Sequence, residues 1–229
     1  MSVPVRHKKL IADDTMEVLR PVENTDSDNY SALLQANHSG IRIGLLTFLV
    51  SAGYATIRYN IIQGVSWSDW PVYTLNKVFG FSSLMLLVIA IVRYWLESAY
   101  SNSKILYMSG LFGGIHVLIS CMLLNPVYYE KFFYDRKLTM EASFSMLLGA
   151  IAAVIFISRA TLKGDRNTNN KIRSLAVLSV TVGLHAALQG FQSWLEPYTW
   201  PGFIPPITLL SFLVSIVALT LMFYSKRVY

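Results

Sequence analysis

A single cysteine, Cys121, is all the thiol that this 229-residue chain contains. That excludes an internal disulfide, a CxxC redox pair and a thiolate cage for zinc. Charge is almost as scarce, with 14% of residues charged against 54% hydrophobic, a balance unsuited to a water-soluble globule. The first 39 residues have no apolar run ahead of a cleavage site, so they read as a polar tail over 1–39 rather than a signal peptide. No internal repeat, low-complexity segment or second soluble domain is visible. A nucleotide-binding or dehydrogenase module would therefore have to sit on another chain.

What is present is apolar sequence in six blocks, near 41–63, 76–97, 104–125, 140–161, 172–195 and 203–225. Each is close to the roughly 20 residues that a helix needs to cross a bilayer, and none carries a charge in its central part. The expected fold is all-α: an integral membrane six-helix bundle over 40–229. With the tail inside, the inner connections and ends hold Arg42, Arg93, Lys104, Arg159, Lys163, Arg166, Lys171, Arg173, Lys226 and Arg227. The outer ones hold Arg58, Lys77, Lys131, Arg136 and Lys137. This bias predicts both termini in the cytoplasm and leaves the "NYS" and "NHS" sequons of the tail unglycosylated. It also accounts for most of the net charge of +6, so nothing points to nucleic acid. The expected surroundings are a lipid bilayer, in the cytoplasmic or plasma membrane.

The outer connections "GVSWSDWPVYTLNK", "NPVYYEKFFYDRK" and "EPYTWPGFIPP" are aromatic. They fit an interfacial belt, and equally a lid over something bound in the outer half of the bundle. The inner loop "RATLKGDRNTNNKIR" is basic, as a topogenic loop is; it would also attract a flavin pyrophosphate, an acidic protein or lipid headgroups.

Two of only four histidines lie inside apolar blocks: His116 in "GLFGGIHVLIS" and His185 in "VTVGLHAALQG". An ionisable side chain at membrane depth is costly and usually faces the bundle interior. His116 lies 12 residues past Lys104 and His185 lies 14 past Lys171, about 18 and about 21 Å at the helical rise. Helices 3 and 5 run in the same direction, so the two imidazoles come to one depth, slightly toward the outer leaflet. Two neutral imidazoles across a bundle suit the axial positions of one haem b iron. Zinc or a di-iron centre would want three or more ligands.

The His116 face carries Ser109, Phe112, Gly113, Ser120 and Leu123; the His185 face carries Leu178, Thr181, Val182, Gln189 and Gln192. Small residues such as Gly113 make room for a porphyrin, or let two helices approach with no cofactor. Hydroxyls one turn away, Thr181 among them, would orient the imidazole through its other nitrogen; Gln189 is a further cofactor-binding candidate on the His185 face. Arg58, near the outer end of helix 1, is placed to pair with a haem propionate, or to snorkel to the interface; Lys77 has the same two readings.

Six helices, both termini inside and histidines in helices 3 and 5 resemble the ferric reductase-like transmembrane domain. That fold is shared by STEAP metalloreductases, NADPH oxidases and the haem-bearing partner of periplasmic methionine sulfoxide reductase. The segment "PVYTLNKVFGFSSLMLLVIAIVRY" at 71–94 is similar to the family's second helix. The resemblance covers roughly 40–225 and rests on layout. It implies a transmembrane oxidoreductase or electron-transfer subunit, with association between chains as in STEAP-like relatives. NADPH oxidase-like members carry a second histidine pair 13 or 14 residues earlier, where this chain has Asn102 and Lys171 or Ile172. Only the outer haem is therefore implied, with electrons supplied from the inner side by a flavin or a quinol, from FAD or quinone on a partner. The competing expectation is a non-catalytic membrane subunit or small-solute transporter with structural histidines.

Overall fold

The structure, a computed structural model, describes residues 25–96, 103–161 and 168–225. Six helices dominate it: α1 (Thr25–Ala55), α2 (Leu75–Leu96), α3 (Ser103–Leu123), α4 (Met140–Thr161), α5 (Thr168–Trp194) and α6 (Ile207–Ser225). Six helical stretches, from Ser39–Ile62 to Pro201–Phe223, are long and apolar enough to cross a membrane. The chain is a multi-pass membrane protein with an all-α bundle. Its outer surface agrees: Leu45, Leu46, Leu49 and Val50 of α1 are each more than half exposed, a state that hydrocarbon solvates and water does not.

Local chemistry sets the ends of these elements. α1 begins at Thr25, inside the stretch read from sequence as a polar tail, although its membrane-length portion starts at Ser39. It continues as a π-helical segment, Thr56–Ile62, and stops at Gly64, whose φ of 74° favours a residue without a Cβ. Asn60 then fixes the α1–α2 connection: its amide donates to the carbonyls of Val65 and Ser66, and its oxygen accepts from Thr74. α6 starts four residues later than the apolar block suggests, because Pro205 and Pro206 have no N–H to give a preceding turn. Between α3 and α4, strands β1 (Phe133–Tyr134) and β2 (Lys137–Leu138) form a small hairpin. Its turn residues Asp135 and Arg136 both have positive φ, as a tight two-residue hairpin requires.

α2 is the hub, packing on α1, α3 and α6, while α5 packs on α4 and α6, and α3 also meets α4. α2, α3, α4, α5 and α6 thus close a ring, with α1 against α2 and α3. The ring is filled unevenly. Toward the end bearing the α2–α3 and α4–α5 connections, Leu84, Leu87, Ile91, Ala152, Leu178, Ala218 and Met222 make one dry cluster. Toward the opposite, aromatic end, the corresponding turns of α2 to α5 carry Asn76, His116, Ser120, Ser145, His185 and Gln189.

Small residues set how closely these helices approach. A Cβ on Gly190 of α5 would run into Thr208 of α6 and Trp194, which are themselves hydrogen-bonded at 3.0 Å. Gly190→Ala is expected to cost about 1–3 kcal/mol through overpacking, read as a lowered thermal unfolding midpoint in detergent. Gly53→Ala, where nothing lies within 4 Å, should leave that midpoint unchanged or slightly raised.

Candidate functional site

His116 and His185 are held in the same way by different helices. On α3, the His116 Nδ1 lies 3.0 Å from the main-chain carbonyl oxygen of Asn76 on α2 and 2.8 Å from that residue's side-chain oxygen. On α5, the His185 Nδ1 lies 2.6 Å from the main-chain carbonyl oxygen of Ser145 on α4 and 3.1 Å from its hydroxyl. A carbonyl oxygen only accepts, so in both rings Nδ1 carries the proton and donates it. Nε2 is left with its lone pair in each case, which is the form of a neutral imidazole that binds a metal.

The correspondence extends to the neighbours. Each histidine follows its anchoring residue by 40 positions, and the polar residue one turn further on, at 44, bonds the same anchor. Asn76 donates to the Ser120 hydroxyl at 3.0 Å; Gln189 donates to the Ser145 hydroxyl at 3.3 Å. One turn past each anchor is a glycine beneath the ring. A Cβ on Gly80 would stand 3.0 Å from His116 Cε1 and Nδ1, and one on Gly149 would stand 3.3 Å from His185 Cε1. The hairpins α2–α3 and α4–α5 therefore repeat one arrangement, with Asn and Ser, and Ser and Gln, in equivalent places. Sequence inspection finds no repeat because only glycine and histidine are shared.

Lys77 is the residue next to Asn76, the anchor of His116. Both histidines are half-buried. The His116 Nε2 has no hydrogen-bond partner among the described residues. The His185 Nε2 accepts from the Gln189 amide at 2.9 Å.

The other expected site residues divide. Gln189 joins the histidine network. Thr181 does not: its hydroxyl donates to the Val177 carbonyl of its own helix. The residues that orient the rings are on the neighbouring helices, because an own-helix hydroxyl finds a carbonyl one turn back first. Gly113 faces Ser83 of α2, whose hydroxyl a Cβ there would meet at 2.9 Å. It serves the α2–α3 approach, next to the reciprocal bonds in which Ser83 and Ser109 each donate to the other's carbonyl at 2.7 Å. Arg58 is buried in the π-helical segment, donates to the Ile204 carbonyl and lies over the Tyr59 ring; it lines one cavity with Lys77 and Gln189 and makes no hydrogen bond to either imidazole. Asn102 lies outside the described residues, as do the side chains of Lys171 and Ile172.

Sequence reading missed Asn76, Gly80, Ser145 and Gly149. A signal was present: "NKVFG" and "SMLLG" each put a polar residue and a glycine one helical turn apart near the aromatic end of spans 2 and 4. That spacing places both on one face. Asn76→Ala would remove the side-chain oxygen from His116 and a donor from Ser120 at a fully buried position. The expected loss is about 1–3 kcal/mol, measured by thermal unfolding in detergent, with the main-chain contact to His116 retained. The chain matches no protein-family model and no curated protein.

Proposed function

We propose that the chain is a membrane cytochrome b in which His116 and His185 hold one haem b, as an electron-transfer subunit of ferric reductase-like character. The carrying observation is the paired anchoring of Nδ1 on main-chain carbonyls of α2 and α4. It places the proton on Nδ1 in both rings, so that Nε2 carries the lone pair an axial histidine needs, open on His116 and shared with the Gln189 amide on His185. Main-chain anchors cannot be lost by a side-chain rotation, so each ring is set in direction before anything binds. Gly80 and Gly149 leave each imidazole room against its neighbour helix. Bound there, haem supplies a one-electron ferric/ferrous couple. The dry cluster around Leu84, Leu178 and Met222 fills the other half of the ring, so this reading has a single haem. It has a flavin- or quinol-bearing partner supplying electrons at the cytoplasmic end and an acceptor at the aromatic, outer end.

One contact favours a second reading. Gln189 already satisfies the His185 Nε2, and a ring nitrogen satisfied within the protein is what a scaffold subunit with structural histidines would show. The two readings separate optically. Protein purified in detergent from haem-replete cells is expected to show cytochrome b bands in reduced minus oxidised spectra. His116→Ala and His185→Ala should each lower the haem-to-protein ratio at least about tenfold, a loss at the lower end of what even an outer-shell partner of a bound metal costs. Absence of bands in the parent protein, or full haem content in both variants, would overturn the proposal.

A further inference from the structure

Beside the histidine layer, at the aromatic end, is a cavity of about 300 Å³, at the lower bound of small-molecule sites. Three cations line it: Arg58 from the π-helical segment, Lys77 from α2 and Lys131 from the α3–α4 connection. Among the described residues none of the three forms an ion pair. Arg58 is only 5% exposed, spends one nitrogen on the Ile204 carbonyl, and keeps an Nε that is buried without a partner. The Lys77 ammonium sits among tyrosine faces, 4.2 Å from the centroid of Tyr73, 5.1 Å from Tyr59 and 5.6 Å from Tyr129. Lys131 donates to the Gln189 carbonyl. Desolvation there and the nearby Lys77 hold its ammonium below the ordinary lysine range, with Glu141 opposing.

Buried charges in folded proteins are ordinarily paired. Of the three only Arg58 is buried, while Lys77 is half-buried and Lys131 exposed; cation–π contacts and carbonyl acceptors moderate them but bring no negative charge. Among the described residues the acid lining the cavity is Glu130, exposed like Gln63, which also lines it. These polar, exposed residues open the cavity to water rather than to hydrocarbon.

We propose that this cavity binds a small soluble polyanion carrying two or more carboxylate or phosphate groups, entering from the aqueous side at the aromatic end. Arg58 gives the fixed planar donor, Lys77 the caged point charge, and Lys131 the exposed charge that meets the ligand first. Gln189 lines the same cavity and bonds the His185 Nε2, so an occupant lies one side chain from the histidine layer. The site stands without the cytochrome reading; only a redox role for its occupant rests on it.

The test is calorimetric titration of the full-length protein in an uncharged detergent, free of added lipid, with citrate and with inorganic phosphate, against sodium chloride at matched ionic strength. Saturable binding of citrate is expected. It should weaken at least tenfold in Lys77→Gln and in the exposed Lys131→Gln, hold within about threefold in Lys77→Arg, and tighten in Glu130→Gln, where like-signed charge is removed. His116→Ala should leave citrate binding within about threefold, so that failure of the haem reading and failure of this one are separate results. No saturable binding of either anion to folded protein overturns the proposal. So does binding unchanged in both lysine-to-glutamine variants, or a response confined to phosphatidylglycerol nanodiscs, which would assign the cations to a lipid headgroup.

Discussion

The structure depends most on two imidazoles, each bound through Nδ1 to a main-chain carbonyl of an adjacent helix. Inside an apolar bundle an unsatisfied ring nitrogen costs free energy comparable to a lost hydrogen bond, and water is scarce to relieve it. Helix carbonyls are normally taken by the amide one turn on, so a carbonyl that also accepts from an imidazole needs the two helices close together. Gly80 and Gly149 provide that closeness. Substituting either would press a Cβ against the ring and force helix separation or ring displacement. Ring direction, tautomer and interhelical distance are thus set together. The hydroxyl of Ser120 and the amide of Gln189 complete the polar groups on each anchor.

Because the arrangement occurs twice, on α2–α3 and on α4–α5, it relates two halves of one layer. Repetition is carried by positions and not by residue identity: a carbonyl is available from any residue, and the side chain at the anchor needs only a short polar group, so Asn76 and Ser145 are equivalent. A second polar–polar tie follows the same economy at the aromatic end. The Trp70 indole donates to Thr56 at 2.9 Å and the Trp194 indole to Thr208 at 3.0 Å, each closing one helix onto its sequence neighbour and giving a part-buried indole N–H its partner.

The spans were legible because membrane crossing imposes length and composition on every residue of a segment. The apolar blocks accordingly coincide with α2 to α5 within a few residues, whereas α6 depended on Pro205 and Pro206. The helical run from Thr25 was not legible, since a polar sequence such as "TDSDNYSALLQANHS" announces no span. His116 and His185 stood out because ionisable residues at that depth are rare. Their partners did not, because a main-chain carbonyl has no sequence signature, and Thr181 and Gly113 were plausible on their own helices only while the neighbours were unknown. Arg58 was visible as a cation, but its company of Lys77 and Lys131 required the packing of α1 against α2 and the path of the α3–α4 connection.

Division of the ring into a dry half and a polar half follows from where charge can be tolerated. The cluster from Leu84 to Met222 offers no group to solvate an ion, whereas the other half offers carbonyls, hydroxyls, tyrosine faces and guanidinium within a short distance of the helix ends. In a low-dielectric surrounding a positive charge is felt over longer distances than in water, so Arg58 and Lys77 raise the potential throughout the histidine layer. A group at that layer is then more easily reduced, or made negative, than one placed among the leucines of the other half. The tyrosine rings around Lys77 strengthen this rather than cancel it, since their quadrupoles hold the ammonium in place without neutralising it. The burial of Arg58, with Lys77 half-buried beside it at the same cavity, is therefore a property of the packed helices themselves, and it sets the polar half of the ring apart from the dry one.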